Sequence, residues 1–154
     1  MKNLADRVID TTDMNVHQLK EVCEESFENF SKRNMAITFM SFGYKYGVPH
    51  DADIVLDVRF LPNPFFVEAL KKLTGNDEKV SDYVFNSSES NEFLKKTVDY
   101  LSFQIPLFER EGKSYLTVAV GCTGGKHRSV AVAGYLKDIF SRGEKSVYCR
   151  NREL

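Results

Sequence analysis

Nine consecutive residues, Gly121-Cys122-Thr123-Gly124-Gly125-Lys126-His127-Arg128-Ser129, combine glycines, hydroxyls, a thiol and basic side chains. Glycine has no Cβ, so Gly121, Gly124 and Gly125 let the backbone turn tightly and gather N–H donors toward one point. The apolar run Tyr115–Val120 lies before this segment and a helical pattern lies after it. The N-terminus of that helix would add its positive end to an anion site. Thr123 and Ser129 can offer hydroxyls, and the Arg128 fork matches phosphate oxygens. Lys126, His127 and Arg128 at a helix start oppose the dipole, so a bland turn does not account for them. The chemistry expected is the holding of a phosphate-type anion.

A Walker A loop needs four residues between its first glycine and the Gly-Lys pair, then Ser or Thr. Here three residues separate Gly121 from Gly125-Lys126, and His127 follows. A nucleoside triphosphate site is therefore not expected. The same residues also read Cys-x5-Arg-Ser and resemble the loop of cysteine-dependent phosphatases. That resemblance implies a Cys122 thiolate attacking phosphorus, Arg128 holding the oxygens and Asp57 as general acid. Gly121 stands where those enzymes usually carry histidine, and His127 where they usually carry glycine. Holding an anion, with no catalytic residue, and cleaving a phosphoester both stay open on these residues.

Other positions could support the loop. Asp57 and Arg59 are two apart at a strand end and project to one face, to meet either a ligand or each other. Asn63 sits between Pro62 and Pro64, to contact a ligand or cap the next helix. Lys45, in Gly43-Tyr44-Lys45-Tyr46-Gly47, follows another strand and could reach the same place. His17 and His50 carry no assignment. Arg142, Lys145, Arg150 and Arg152 are interrupted by Glu144 and Glu153, which suits a solvated face better than a nucleic-acid patch. Cys23, Cys122 and Cys149 lack C-x-x-C spacing and the histidines are scattered, so neither disulfides nor a metal is expected, and no cofactor is implied.

These groups need elements to position them. A chain of 154 residues, 42% hydrophobic, can bury one real core. Its 21 Lys plus Arg against 22 Asp plus Glu give no global electrostatic case for nucleic acid, so any anion site must be local. No apolar stretch approaches the roughly 20 residues that span a bilayer, and the chain reads as soluble, cytoplasmic and not membrane-bound. Arg7–Thr12 resembles a short strand, followed by a helix that Asn15 and Gln18 could open as a capping box. The helix would bury Leu19, Val22, Cys23, Phe27 and Phe30. A boundary is placed at residues 31–34. Beyond it, Ala36–Phe42, Ile54–Val58, Tyr115–Val120 and Ser146–Cys149 read as strands. Asn86 with Glu89 suggests a helix that Pro106 should kink or end. Another helix should run from Lys126 to Arg142, stopped by Gly143. The expected fold is α/β, a single layered domain with a mainly parallel central sheet flanked by helices. The phosphate-type loop would join a strand to the last long helix, at the carboxyl ends of the strands.

Ser41–Gly47, Asp57-Val58-Arg59-Phe60-Leu61-Pro62-Asn63-Pro64 and Gly121–Ser129, in that order, resemble the C-terminal domain of RapZ/YvcJ-type proteins. The likeness runs from about Ala36 onward. Residues 1–33 look like the end of the family's N-terminal P-loop domain with a linker helix, and residues 34–154 like the ligand-binding domain. The resemblance implies an RNase adaptor that binds small regulatory RNA, delivers it to an endoribonuclease and senses glucosamine-6-phosphate. By motif, the sugar-phosphate pocket would include Cys122, Thr123, Gly124, Gly125, His127 and Arg128, with Asp57, Arg59 and Asn63 nearby. A homo-oligomer is expected. The nucleotide hydrolysis attributed to the family would belong to the P-loop domain. Enteric members carry histidine where Phe65 stands, a departure that bears on the choice of ligand through the loss of one polar contact, and a basic tail where this chain reads Asn151-Arg152-Glu153-Leu154, a departure that bears on RNA binding.

Overall fold

The computed structural model describes residues 9–26, 35–142 and 146–154. The chain divides into two units, Met1–Arg33 and Asn34–Leu154. In the first, helix α1 (Val16–Ser26) opens as its spacing requires. Asn15 Oδ1 accepts from Gln18 N, and Gln18 Oε1 accepts from Asn15 N, both at 2.9 Å. These reciprocal bonds satisfy two helix-end donors at once. The strand expected over Arg7–Thr12 is not formed at residues 9–12. Asp10 instead captures the Thr12 N–H at 3.0 Å and the Thr12 hydroxyl, a local turn that competes with extended pairing. Arg7, Val8, Phe27 and Phe30 lie outside the described residues.

The second unit is built on strands β1 (Ala36–Gly43), β2 (Ile54–Asp57), β3 (Tyr115–Cys122) and β4 (Val147–Asn151). They pair in the order β2-β3-β1-β4, every pairing parallel. The two central strands, β1 and β3, read as the continuous apolar runs of a parallel sheet buried on both faces, whereas the edge strands differ, β2 alternating in burial and β4 lying largely exposed. In register, Phe39 lies opposite Val118 and Gly43 opposite Cys122, while Asp57 faces Gly121. The carboxyl ends of β1, β2 and β3 therefore meet at one edge.

Helices α2 (Glu78–Phe85), α3 (Ser88–Glu111) and α4 (Arg128–Phe140) complete the α/β domain. Ile37, Phe39, Leu116, Val118 and Val120 from the sheet share a core with Val80 and Val84 of α2, Leu101 and Ile105 of α3, and Leu136 of α4. Helix α4 packs on β1, β3 and β4, with α2 against it. The α3 boundary differs from the sequence expectation. Ser87, not Asn86, is the N-cap, its hydroxyl accepting from Ser90 N at 3.1 Å, whereas Asn86 closes α2. Pro106 does not end α3, which continues to Glu111 before Gly112 closes it at φ 89°. An interior proline costs about 3 kcal/mol, but fully burying Leu101 and Ile105 returns about 1.5–3 kcal/mol each. Helix α4 begins at Arg128, two residues later than expected, and Ser141 follows it; Gly143 lies outside the described residues. Among the described residues, no helix is long and apolar enough to cross a membrane.

Candidate functional site

The loop from Cys122 to Arg128 leaves β3 at the shared strand edge and enters α4. Gly125 adopts φ 75°, a left-handed backbone that glycine tolerates best. Its neighbours leave no room for a side chain, since a Cβ there would sit 2.5 Å from Glu153 Oε2. At Gly124 a Cβ would meet nothing within 4 Å, so the loop is open on that side.

Three carbonyls of the loop are taken by protein donors. Lys45 N donates to Thr123 O at 3.3 Å, Gly75 N to Lys126 O at 2.9 Å and Ala131 N to His127 O at 3.0 Å. Occupied carbonyls weaken the repulsion that an approaching anion would feel. Gly75 reaches the loop because Asp77 Oδ2 accepts from Thr74 N at 2.7 Å and from its hydroxyl at 3.0 Å, shaping a turn. A Cβ on Gly75 would lie 2.2 Å from His127 O.

Arg128 is 5% exposed. Its Nη1 donates to the carbonyls of Arg59 and, at 3.2 Å, Leu61, and its Nη2 to Thr123 Oγ1 at 3.4 Å. One side chain thus ties the segment after β2 to the phosphate-type loop. Burial pulls the guanidinium pKa below its usual value, with Cys122 and Asp57 pulling the other way. Among the described residues, Arg128 Nε and His127 Nε2 are buried without a hydrogen-bond partner. A buried polar group left unpaired costs about 1–3 kcal/mol; the third such atom, Gln104 Oε1, lies in α3 rather than in the loop.

Cys122 Sγ lies 3.2 Å from Ser129 Oγ and accepts from Gly125 N at 3.2 Å. Burial pushes the thiol up, but Ser129, the Gly125 N–H and the Arg128 charge together bring it below the ordinary thiol value. Asp57 and Arg59 pair with each other, Arg59 Nη2 lying 2.6 Å from Asp57 Oδ2 and Nε 3.0 Å from both oxygens. This contact with Arg59 holds the Asp57 carboxyl below the usual carboxylate range. Arg59 also stacks 4.1 Å from the Tyr44 ring centroid.

A cavity of about 590 Å³ opens over the loop. It is lined by the candidate residues Lys45, Asn63, Cys122, Thr123, Gly124, Lys126, His127 and Arg128. Asn63 also caps a single helical turn, its Oδ1 accepting from Phe65 N at 3.3 Å. Gly125, Ser129, Asp57 and Arg59 do not line the cavity. Gly125 and Ser129 instead act on the Cys122 sulfur, and Asp57 and Arg59 on each other. Sequence reasoning missed Phe66 and Lys71 as lining residues, and met Phe65 only as a departure from a pattern. The available signal was two adjacent aromatics after a rigid Pro-Asn-Pro, exposed at 51% and 82%. Arg152, read as part of a solvated face, instead donates to Gly47 O at 2.7 Å and pairs with Glu153, whose Oε2 accepts from Gly43 N at 3.1 Å. Among the described residues, no cluster of three or more His, Cys, Asp or Glu could hold a metal.

Residues 35–154 match the family described as the RapZ C-terminal domain. Among curated proteins, the chain is 50% identical to a nucleotide-binding protein of Caldanaerobacter subterraneus subsp. tengcongensis, over 100% of this chain and 55% of that protein. It is 48% identical to a nucleotide-binding protein of Myxococcus xanthus over 100% of the chain and 54% of the relative. With one of Geobacter sulfurreducens it shares 51% identity over 92% of the chain and 50% of the relative. The chain spans about half the length of the curated relatives it matches.

Proposed function

The chain belongs to the RapZ C-terminal domain family, and from that premise we propose that residues 34–154 form a regulatory domain that binds a phosphorylated small molecule. The phosphate rests on the Cys122–Ser129 loop, and the rest of the molecule fills the cavity bounded by Lys45, Asn63 and Phe65. Arg128 carries this reading. It is a nearly fully buried cation, with an unpartnered Nε, facing a cavity over a loop that has three of its carbonyls already occupied. Such a charge is costly to bury unless it is paired, and a phosphate pairs it. Sugar phosphates, the class that includes glucosamine-6-phosphate, are the ligands the family resemblance implies. In a longer protein of RNase-adaptor type, occupancy of this cavity would be the signal, with small RNA and an endoribonuclease as partners. The name of the relatives, nucleotide-binding, applies to proteins nearly twice as long and is not transferred to this cavity.

A second reading, cysteine-dependent phosphoester hydrolysis, draws support from the Cys122 sulfur, which Ser129 and the Gly125 N–H stabilise as a thiolate. Asp57 weighs against it. Clamped by Arg59 and depressed in pKa, it holds no proton to give a leaving group at neutral pH. Holding is therefore preferred over cleaving.

Calorimetric titration with inorganic phosphate, glucosamine-6-phosphate and glucosamine tests the proposal. Binding of the first two and not of the third is expected, without release of phosphate. Binding of glucosamine alone, or turnover that disappears in Cys122→Ser, would overturn it.

A further inference from the structure

Strand β4 forms one edge of the sheet, and among the described residues no strand pairs with its outer side. It runs in unbroken register with β1, from Ile37 opposite Val147 to Ser41 opposite Asn151. The ladder between the two strands decides which backbone groups are already used. Ile37 N donates to Ser146 O at 2.9 Å and Arg152 N to Ser41 O at 3.1 Å. In a parallel pair this pattern turns the N–H and C=O groups of Tyr148 and Arg150 toward β1, and those of Val147, Cys149 and Asn151 outward. The side chains of Tyr148, Cys149 and Arg150 are exposed, and neither a proline nor a bulge blunts the edge. An edge of this kind is a template for another strand.

We infer that β4 pairs antiparallel with β4 of a second copy of this chain, about a two-fold axis at Cys149. The inference is independent of what the cavity over the β3–α4 loop binds. A two-fold contact requires a self-complementary surface, and this strand is one. Centred on Cys149, the pairing sets Cys149 opposite its own copy and Val147 opposite Asn151 of the second copy, so residues with outward groups exchange hydrogen bonds with one another. Tyr148 then falls opposite Arg150 of the second copy at the non-hydrogen-bonded positions, where side chains come closest. A guanidinium over a tyrosine ring is attractive, and symmetry repeats the contact on both sides of the axis. A register shifted toward the C-terminus opposes Arg150 to its own copy, like charges directly across the ladder. One shifted toward the N-terminus sets Tyr148 against Tyr148 and leaves Arg150 without its ring. On the helix side, Lys137 and Asp138 of α4 lie near enough to the Cys149 thiol to shift it in opposite directions, and they pair with each other at 3.0 Å. The axis therefore brings a mixed-charge pair beside its copy rather than two patches of one sign. The two sheets become one, with the strand-end cavities of the copies at opposite ends.

Analytical ultracentrifugation of the chain over a concentration series, with mild oxidation and peptide mapping, tests the pairing. A reversible dimer is expected, and oxidation should link Cys149 to Cys149 of the second copy. Opposed residues in hydrogen-bonded pairs have Cα atoms about 5.5 Å apart, a span that a disulfide bridges. Cys149→Ser should abolish the link and keep the reversible dimer. Cys149→Pro removes an outward N–H and none that serves β1, so the domain should stay folded by circular dichroism and become monomeric. Arg150→Glu leaves the backbone intact and should weaken dimerisation at least tenfold, which keeps the test decisive if the proline variant unfolds. A chain that is monomeric throughout, a dimer whose strength is unchanged in Arg150→Glu, or an oxidation product linked only through Cys23 or Cys122 overturns the inference.

Discussion

Gly125 and Gly43 touch backbone to backbone: a Cβ on Gly125 would lie 2.7 Å from the Gly43 nitrogen, and one on Gly43 would lie 2.7 Å from the carbonyl carbon of Gly124. The end of β1 thus packs directly against the phosphate-type loop with no side chain between them. Gly125→Ala is expected to destabilise the domain by about 2 kcal/mol or more, combining left-handed strain of about 1–2 kcal/mol with the clash, and to abolish phosphate binding. Gly134, inside α4 with nothing within 4 Å of its would-be Cβ, provides the contrast. Gly134→Ala should stabilise by about 0.5–1 kcal/mol. Thermal unfolding of both variants checks the pair.

Arg128→Lys keeps the charge but loses the fork. A lysine has no planar arrangement of donors to serve the Arg59 and Leu61 carbonyls together with Thr123. The expected cost is about 2 kcal/mol for carbonyls left short of a donor, with phosphate affinity down at least tenfold. Denaturant unfolding and calorimetry measure the two effects separately.

The Cys122 thiol should ionise below the ordinary thiol value, because Ser129, Gly125 and Arg128 outweigh its burial. An acid whose native pKa is depressed adds stability as pH rises through that native pKa, and the full contribution is present above the unfolded value. In a Cys23→Ser, Cys149→Ser background, stability is therefore expected to climb over that alkaline window. The climb should vanish when Cys122→Ser is added. Ultraviolet thiolate absorbance against pH, with unfolding at each pH, tests both halves.

Much of the site was legible in the sequence because its chemistry is local. Cys122, Thr123, Gly124, Lys126, His127 and Arg128 are neighbours in the chain, and the strand before them and helix after them fix their shared direction. Strands β1 and β3 were equally plain, since runs buried on both faces read as continuous apolar stretches. What stayed hidden depends on contacts across long sequence separations. Helix α2 shows only Val80 and Val84 as buried apolar positions, too few for a period to stand out. Gly75 reaches the loop through a turn set by Asp77, and Lys71, which precedes that turn, lines the cavity; no spacing rule connects either to residues 122–128. Arg152 and Glu153 read as surface charge, yet they serve Gly47 O and Gly43 N about a hundred positions away. Pro106 does not end its helix for a different reason: local propensity is outweighed by the burial of Leu101 and Ile105.

Asp53 joins the start of β2 to β3, accepting from Lys113 Nζ and from Thr117 N, both at 2.8 Å. Burial raises its pKa, but these bonds outweigh that and leave the carboxyl below its ordinary value. Its stabilising contribution is present above the ordinary carboxylate range and is lost as pH falls through the depressed native value. Asp53→Asn is expected to cost about 1 kcal/mol at neutral pH, discounted for partial exposure, and to flatten the acid side of the stability profile. Urea unfolding between neutral and acid pH measures it.

The central claim is that the loop from Cys122 to Ser129 is an anion seat completed by Arg128. Backbone amide shifts, followed while inorganic phosphate is titrated into the wild-type chain and into Arg128→Ala, test it most directly. The account predicts saturable shifts concentrated at residues 121–129 in the wild type and their loss in Arg128→Ala, with α2, α3 and the sheet core unmoved in both. Wild-type shifts that are absent, or that scatter over surface lysines without saturating, would contradict it.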